Sequence, residues 1–357
     1  MPKDCYRILA VNPGSTSTKA AVYENDSPVA EDIARHGRQE LDESGSILGQ
    51  LPMRKRVVMD MLEMAGIDPS TLDAVVGRGG LVDPIDSGVY IVGERMVGDL
   101  GRSAAAVHAS ALGGIIAYEI ARELDIPAYV VDPIVVDEMD PYAKLTGIPG
   151  IERRSVFHAL NQKAIARRCA HHLGEPYENC RLIVAHLGGG ITVGAHRYGR
   201  VIDVNDALSE GPFTPERTGA VPVLPLIDLC FTGAYTREEL VDLVTKKGGV
   251  TAYLGTNDLR KVEKLIKEGD DYAALVLESM AYQVSKEIGA MSAVLEGRVD
   301  AIVLTGGLAY STRFTGAIKQ RVGLIAPVKV FPGEDEMLAL AAGALRVLRG
   351  EESALEY

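Results

Sequence analysis

Three short Gly-rich turns stand at the ends of apolar runs. They are Asn12-Pro13-Gly14-Ser15-Thr16-Ser17-Thr18-Lys19 after Val11, His186-Leu187-Gly188-Gly189-Gly190 after Ala185, and Thr305-Gly306-Gly307 after Leu304. Residues with little or no side chain leave peptide N–H groups uncovered, and converging N–H groups bind phosphate. Taken singly, each is as readily a turn that needs positive φ. Three together point to a polyphosphate ligand. Neither GxxxxGK[ST] nor GxGxxG occurs, so Walker-type and Rossmann-type sites are set aside.

The elements that must position these turns follow from the patterning. Arg7 to Tyr23 reads as strand, turn and strand, a β-hairpin. Arg181 to Ala195 repeats that plan, and a gap-free alignment sets Arg7 on Arg181, Gly14 on Gly188, Thr18 on Thr192 and Ala21 on Ala195. Two copies of one plan, each opening half of the chain, imply two related α/β lobes with a cleft between them. Leu72–Val76 and Ala128–Val131 read as buried strands, and Ala104–Leu124 as one long helix stopped near Pro127. Ser155–Leu173 reads as a helix closed by Gly174, and Asp270–Leu295 as a helix closed by Gly297. Asp300–Leu304 and Val328–Phe331 read as strands flanking a helix over Thr312–Val322. A last helix opens at Glu334-Asp335-Glu336 and ends near Arg346 and Arg349, acids at its positive end and bases at its negative end.

At about 150 residues per domain, 357 residues suit two domains better than one. Hydrophobic residues at 47% and charged residues at 24% give an ordinary folded composition. The 37 basic and 49 acidic side chains leave a net charge of −12, which opposes nucleic acid or an anionic membrane as partner. An anionic substrate then requires basic groups concentrated at its site. Cys5, Cys169, Cys180 and Cys230 form no CxxC and read as buried free thiols rather than zinc or redox ligands. The uncharged run Ser103–Tyr118 is too short to cross a bilayer, and Ile8–Val11 is too short for a signal-peptide core, so a cytoplasmic protein is expected.

The first turn resembles the N-terminal phosphate motif of the acetate and butyrate kinases, members of the actin, sugar-kinase and heat-shock-chaperone ATPase superfamily. In the same order, His186 to Gly190 resembles their second phosphate loop, and Thr305-Gly306-Gly307 through Ser311 their adenosine motif. Phe157-His158 and Thr214-Pro215-Glu216-Arg217-Thr218-Gly219 resemble the segments that hold the transferring phosphoryl group. Asp258-Leu259-Arg260 resembles a nucleotide-side contact. The Asn12 to Lys19 segment, Gly77-Arg78-Gly79-Gly80 and Pro332-Gly333-Glu334-Asp335-Glu336-Met337 resemble the butyrate-kinase branch specifically.

The resemblance implies an α/β fold of two duplicated ribonuclease-H-like lobes, with mixed sheets flanked by helices and an interlobe cleft. It implies an N-terminal lobe of residues 1–152 and 335–357, a nucleotide-binding lobe of residues 153–334, and a homodimer or higher homo-oligomer. The implied activity is phosphotransfer to a carboxyl acceptor: reversible, Mg²⁺-dependent exchange between ATP and a short-chain carboxylate, butanoate or a branched acid, giving an acyl phosphate and ADP. Acetate or propionate as substrate, and a nucleotide-switched actin-like ATPase without acceptor, stand as the other readings.

By the same resemblance, Arg217 clamps the phosphoryl group, His158 donates a hydrogen bond to it, and Asp132 orients Mg²⁺ or its waters. Arg78 and His108 bind the carboxylate. Gly14, Ser15, Thr16, Ser17, Lys19, His186, Gly188, Gly189, Gly190, Asp258, Arg260, Thr305, Gly306 and Gly307 face the nucleotide, and Asn12 with Asp335 or Glu336 faces the metal. Surface ion pairs, strand-end caps and packed helix residues are the structural alternatives at these positions. Arg217-Thr-Gly-Ala-Val-Pro222 replaces a segment that carries an acidic residue in acetate kinases, which leaves acyl-chain preference open.

Overall fold

A computed structural model describes residues 3–106 and 109–357. The chain is α/β, with two mixed sheets flanked by helices, and divides into two compact units. The first comprises Met1–Val136 with Asp335–Tyr357, and the second Asp137–Glu334.

In the first unit, β1 (Arg7–Pro13), β2 (Ser17–Glu24) and β3 (Ser27–Arg35) form an antiparallel meander. Parallel strands β4 (Ala74–Gly77) and β6 (Ala128–Val131) extend it, and β5 (Val89–Ile91) closes the edge antiparallel to β6, for an order of β3-β2-β1-β4-β6-β5. In the second unit, β7 (Arg181–Leu187), β8 (Ile191–Arg197) and β9 (Arg200–Val204) form the matching meander. Parallel β10 (Ala301–Gly306) and β11 (Val328–Pro332) extend it, in the order β11-β10-β7-β8-β9. Counted from its own first strand, each sheet reads 3-2-1-4-5, with β5 an added edge on the first. The repeat seen in the sequence is therefore a repeat of topology.

The gap-free alignment needs one correction. Pro13 pairs with Thr18 across the first turn, whereas Leu187 pairs with Ile191 across the second. The second turn is one residue shorter, so Lys19, opposite Asn12, corresponds to Thr192, opposite His186.

Each central strand is buried on both faces, which explains its unbroken apolar run. On β7, Ile183, Ala185 and Leu187 pack with Met280 and Val284 of the helix Asp271–Val294, while Leu182 and Val184 pack with Ile165 and Cys169 of the helix Ala159–Leu173. On β1, Leu9 and Val11 share a cluster with Leu62 of the helix Leu51–Met64 and Ile116 of the helix Leu112–Leu124. The helices over Thr312–Val322 and Asp271–Val294 lie within a residue of expectation, and Asp270 caps the second by accepting from Ala273 N at 2.9 Å.

Other expectations shift. The single helix expected over Ala104–Leu124 is interrupted, with one helix at Glu94–Ala106, a 3₁₀ turn at Ala109–Ala111 and a second helix from Leu112. The Ser155 helix begins at Ala159, leaving His158 at its N-cap, and the last helix begins at Glu336. Two of the four cysteines, Cys5 and Cys230, are exposed rather than buried, the first near the N-terminus and the second on a solvent-facing helix. Residues 137–152, expected with the N-terminal lobe, go with the second unit. There Glu138 pairs with Lys163 at 2.9 Å, Asp140 N donates to Ile202 O at 2.9 Å, and Arg153 holds Ala143 O at 2.9 Å. Among the described residues no helix is long and apolar enough to cross a membrane.

Arg78 owes its position to two missing side chains. A Cβ on Gly77 would sit 2.1 Å from Gly113 O, and one on Gly113 would sit 2.7 Å from Arg78 N. The helix Leu112–Leu124 thus presses backbone to backbone on the end of β4, where Gly114 N donates to Arg78 O at 3.1 Å. Replacing Gly77 with Ala forces this contact apart and is expected to cost about 3 kcal/mol in urea unfolding. Gly289→Ala, in open space on the helix Asp271–Val294, is expected to gain about 0.5 to 1 kcal/mol.

Candidate active site

In the first unit the turn after β1 is stitched across itself, with Gly14 N donating to Ser17 O at 2.8 Å. Beneath it lies Arg54, on the helix Leu51–Met64 and fully buried. Its guanidinium donates to Ser17 O at 2.7 Å, Thr18 Oγ1 at 3.0 Å and Ser15 O at 3.3 Å, and its Nε donates to Gln50 Oε1 at 3.0 Å. A buried charge is tolerable only when paired or fully hydrogen-bonded, and the turn's carbonyls supply the bonds. Burial pulls the Arg54 pKa down, with Glu40 opposing. His36 closes the cluster at 2.8 Å from Thr18 Oγ1. Sequence reasoning missed Arg54; its one signal was an arginine among the apolar positions of a helix.

At the same end of β1, Asn12 Nδ2 donates to Glu336 Oε2 at 2.7 Å, and Arg78 Nη1 reaches the same oxygen at 2.6 Å. Asn12, Arg78 and Glu336 are thus one group, with Asp335 at the N-cap of the helix that begins with Glu336. Asp335 also faces β2, where burial, Asp335 and Glu31 together push the Tyr23 phenol up to about 12. This is a sparse oxygen set. No group of three or more His, Cys, Asp or Glu among the described residues is placed to hold a metal unaided. It fits a Mg²⁺ that takes one or two protein oxygens and otherwise keeps water and nucleotide oxygens.

Two further candidates in this unit make contacts within it. Lys19 bridges to Glu31 of β3 at 2.8 Å. Asp132, just past β6, adopts a left-handed conformation with φ of 38° and accepts from Gly88 N at 2.9 Å. His108 lies outside the described residues.

In the second unit the turn Gly188–Gly190 has Gly188 N donating to Gly190 O at 3.1 Å. A Cβ on Gly190 would sit 2.3 Å from Arg217 Nη1 and 3.4 Å from His158 Cε1. The structure therefore brings together the second turn, Arg217 and His158. The His158 and His186 rings stack at 3.8 Å, inclined by 10°. His186 Nδ1 meets Asn161 Oδ1 at 2.7 Å, and its Nε2 meets Glu334 at 3.2 Å, an ion pair when the ring is protonated.

Arg217 donates to Ala207 O at 2.6 Å, while its buried Nε has no hydrogen-bond partner among the described residues. Burial lowers its pKa, with the carboxylates of Glu216 and Asp206 opposing. Its loop is fixed from two sides. Thr214 Oγ1 donates to Gly189 O at 2.7 Å and accepts from Arg217 N at 2.9 Å. The carbonyls of Thr214, Pro215 and Glu216 accept from Val250, Thr251 and Gly248 N, the open amides at the start of the helix Gly249–Leu254. Gly249 is obligatory there, because with φ of 58° a Cβ would come within 1.8 Å of Thr214 O. The pair Gly248-Gly249 was the signal in the sequence, and it was missed.

The third turn joins a separate group. Gly306, with φ of 90°, lets β10 approach Leu187 O, which a Cβ would meet at 2.4 Å. Thr305 Oγ1 donates to Gly333 O at 3.2 Å. Beyond it opens a cavity of about 440 Å³ lined by Asp258, Leu259, Arg260, Gly307, Tyr310 and Ser311, so the two nucleotide-side segments share one pocket. Asp258 caps the helix Leu259–Lys267 and holds Arg260 through two bonds at 2.9 and 2.8 Å. That pairing holds the Asp258 carboxyl below the usual carboxylate range, the Arg260 hydrogen bond being the largest cause.

Behind His158 and His186, His196 is fully buried, and desolvation, then Lys163 and Arg167, push its pKa well below 6.5. The unfolded chain protonates this residue below about pH 6.5 while the folded chain does not, so its stability contribution is complete above that pH and falls with acidification. Stability should drop by up to about 1.4 kcal/mol per pH unit from this group below pH 6.5. Urea melts between about pH 7.5 and 5.5 should show a steeper loss than in His196→Gln. Arg54→Met removes the guanidinium bonds to the carbonyls of Ser15 and Ser17 and should cost about 3 kcal/mol in the same melts. Arg54→Lys should restore only part of this, lacking the fork.

Residues 142–319 match the Acetokinase family. Among solved structures, the chain superposes on acetate kinase from Porphyromonas gingivalis with a TM-score of 0.81 at 20% identity, covering 96% of this chain and 100% of that one. A propionate kinase from Francisella tularensis subsp. tularensis SCHU S4 gives 0.77 at 18% identity, covering 95% and 98%. A ROK hexokinase from Thermus thermophilus gives 0.50 at 14%, covering 95% and 98%. Such identities establish a shared fold. The matched residues 142–319 carry His158, the turn Gly188–Gly190, Arg217 and the cavity-lining segments.

Proposed function

We propose that the chain is a carboxylate kinase, transferring the γ-phosphoryl of ATP to a short-chain carboxylate and back, with butanoate or a branched four-carbon acid preferred. The observation that carries this reading is Arg217. A half-buried guanidinium held against a bare glycine turn, with Nη1 2.3 Å from where a Gly190 Cβ would lie, is matched to an anion with oxygens in a plane. In-line phosphoryl transfer spreads charge over three equatorial oxygens, so fixed donors aimed at them lower the barrier.

In this reading the second unit holds the nucleotide. The cavity of Asp258, Arg260 and Gly307 takes the adenosine, the amides of Gly188–Gly190 take the phosphates, and His158 donates to the migrating group. The first unit offers the amides of the Gly14–Ser17 turn and the cation of Arg78. Arg78 is neutralised by Glu336 at 2.6 Å, so the carboxylate competes for a guanidinium already paired. A metal ion held near Asn12, Asp335 and Glu336 would supply charge neutralisation. The acceptor is already ionised at neutral pH, with an ordinary pKa near ~4, so no strong base is required.

Butanoate rests on the first turn, on Gly77 to Gly80 and on Pro332 to Met337. Acetate or propionate is the second reading, favoured by the names of the matched structures. One methylene in an apolar pocket is worth about 1 to 3 kcal/mol, enough to rank acids without excluding neighbours. Hydroxamate trapping of the acyl phosphate across chain lengths should give the highest kcat/KM with four carbons. A maximum at acetate would overturn the preference, and ATP turnover without acyl phosphate would overturn the activity. Arg217→Ala should lower kcat by on the order of 10² to 10³ with nucleotide affinity nearly kept, because the contact acts on the transition state; a change confined to KM would contradict the role.

A further inference from the structure

An unbroken series of hydrogen bonds runs through the interior of the second unit to His158. Tyr177 OH lies 2.7 Å from His196 Nδ1, and His196 Nε2 lies 2.9 Å from Gln162 Oε1. Gln162 Nε2 donates to Thr192 O at 3.1 Å and Thr192 Oγ1 at 2.8 Å, and Thr192 Oγ1 lies 2.9 Å from His158 Nδ1. Gln162, Thr192 and His196 are fully buried. The path exists because β8 is bare at Gly194, where a Cβ would lie 2.5 Å from Gln162 Oε1.

The direction of each proton follows from one fixed point. Thr192 O is a carbonyl and only accepts, so it must face the Gln162 amide nitrogen, not its oxygen. Gln162 Oε1 then faces His196 Nε2, which must carry a hydrogen. His196 is neutral, so its Nδ1 is a lone pair and Tyr177 OH donates to it. At the other end, Gln162 Nε2 donates to Thr192 Oγ1. The Thr192 hydroxyl hydrogen needs an acceptor of its own, and His158 Nδ1 is the one within reach among the described residues.

We infer that Tyr177, His196, Gln162 and Thr192 are positioning residues that hold His158 in the tautomer with its proton on Nε2, so that the neutral imidazole is a hydrogen-bond donor. Every bond in the series donates toward His158, and such series polarise cooperatively. Protonation of His158 at Nδ1 would turn the Thr192 hydroxyl away from its acceptor, so the series also disfavours the imidazolium. A donor with its proton already in place incurs no reorganisation as charge develops on the phosphoryl oxygens. This deepens the reading of His158 as hydrogen-bond donor to the phosphoryl group and rests on it.

The test is long-range ¹H–¹⁵N NMR of the full chain carrying ¹⁵N-histidine, with His158 assigned by its loss in His158→Gln. The expected result is a protonated Nε2 and a pyridine-type Nδ1. Thr192→Val should average the two nitrogens and lower kcat roughly 10-fold while KM for ATP stays within roughly 2-fold. Thr192→Ser, which keeps the hydroxyl, should restore both and guards against a folding defect. A proton on Nδ1 in the unaltered protein, or an unchanged tautomer in Thr192→Val, would overturn the inference. The expected tautomer together with full turnover in His158→Gln would uphold the proton assignment and overturn the catalytic reading on which it was built.

Discussion

The candidate site of the second unit depends on a side chain that is absent. The space a methyl group would take at Gly190 is filled by one nitrogen of Arg217, 2.3 Å from where that carbon would lie, with the His158 ring beside it. A cation brought that close to a peptide turn must be held by something other than the turn. The loop 214–217 is therefore fastened to the Gly189 carbonyl by Thr214 and to a helix start by three carbonyl contacts. Desolvation of a permanently charged group is costly, and here part of that cost stays unrelieved at the guanidinium Nε.

The two units solve the same problem with different chemistry. Each opens with a hairpin that carries a bare turn. In the first, Arg54 grips the carbonyls of the turn from within the core. In the second, neutral polar side chains and stacked imidazoles occupy the equivalent region, with Thr192 standing where the first unit has Lys19. One buried charge stiffens the first turn, and a directed series of neutral donors serves the second.

Much of this could be read from the sequence, because glycine turns at strand ends and the order of apolar segments are local signals. The strands β1, β6, β7 and β10 and the helix over Thr312–Val322 fall close to where patterning set them. What escaped was set by contacts distant in sequence. The 3₁₀ turn at Ala109–Ala111 follows neither Pro nor periodicity. It lies next to the backbone contact of Gly113 with Gly77 and Arg78, whose partners stand more than thirty positions apart. The one-residue difference between the hairpin turns was invisible to an alignment that scored identities, because Thr18 and Thr192 match in type but not in register. Arg54 and Gln162 looked like ordinary helix residues. Their importance comes from carbonyls and a threonine that only the folded sheet brings to them.

The central claim is that the glycine amides of Gly188–Gly190, under Arg217, receive a phosphate chain. Backbone ¹H–¹⁵N shifts of these glycines, followed during titration with ADP and in parallel with adenosine, test it most directly. The account predicts large shifts at Gly188, Gly189 and Gly190 with ADP and little change there with adenosine, whose effects should centre on Gly307 and Ser311. Equal responses to both ligands, or silence at all three glycines with ADP bound, would contradict it.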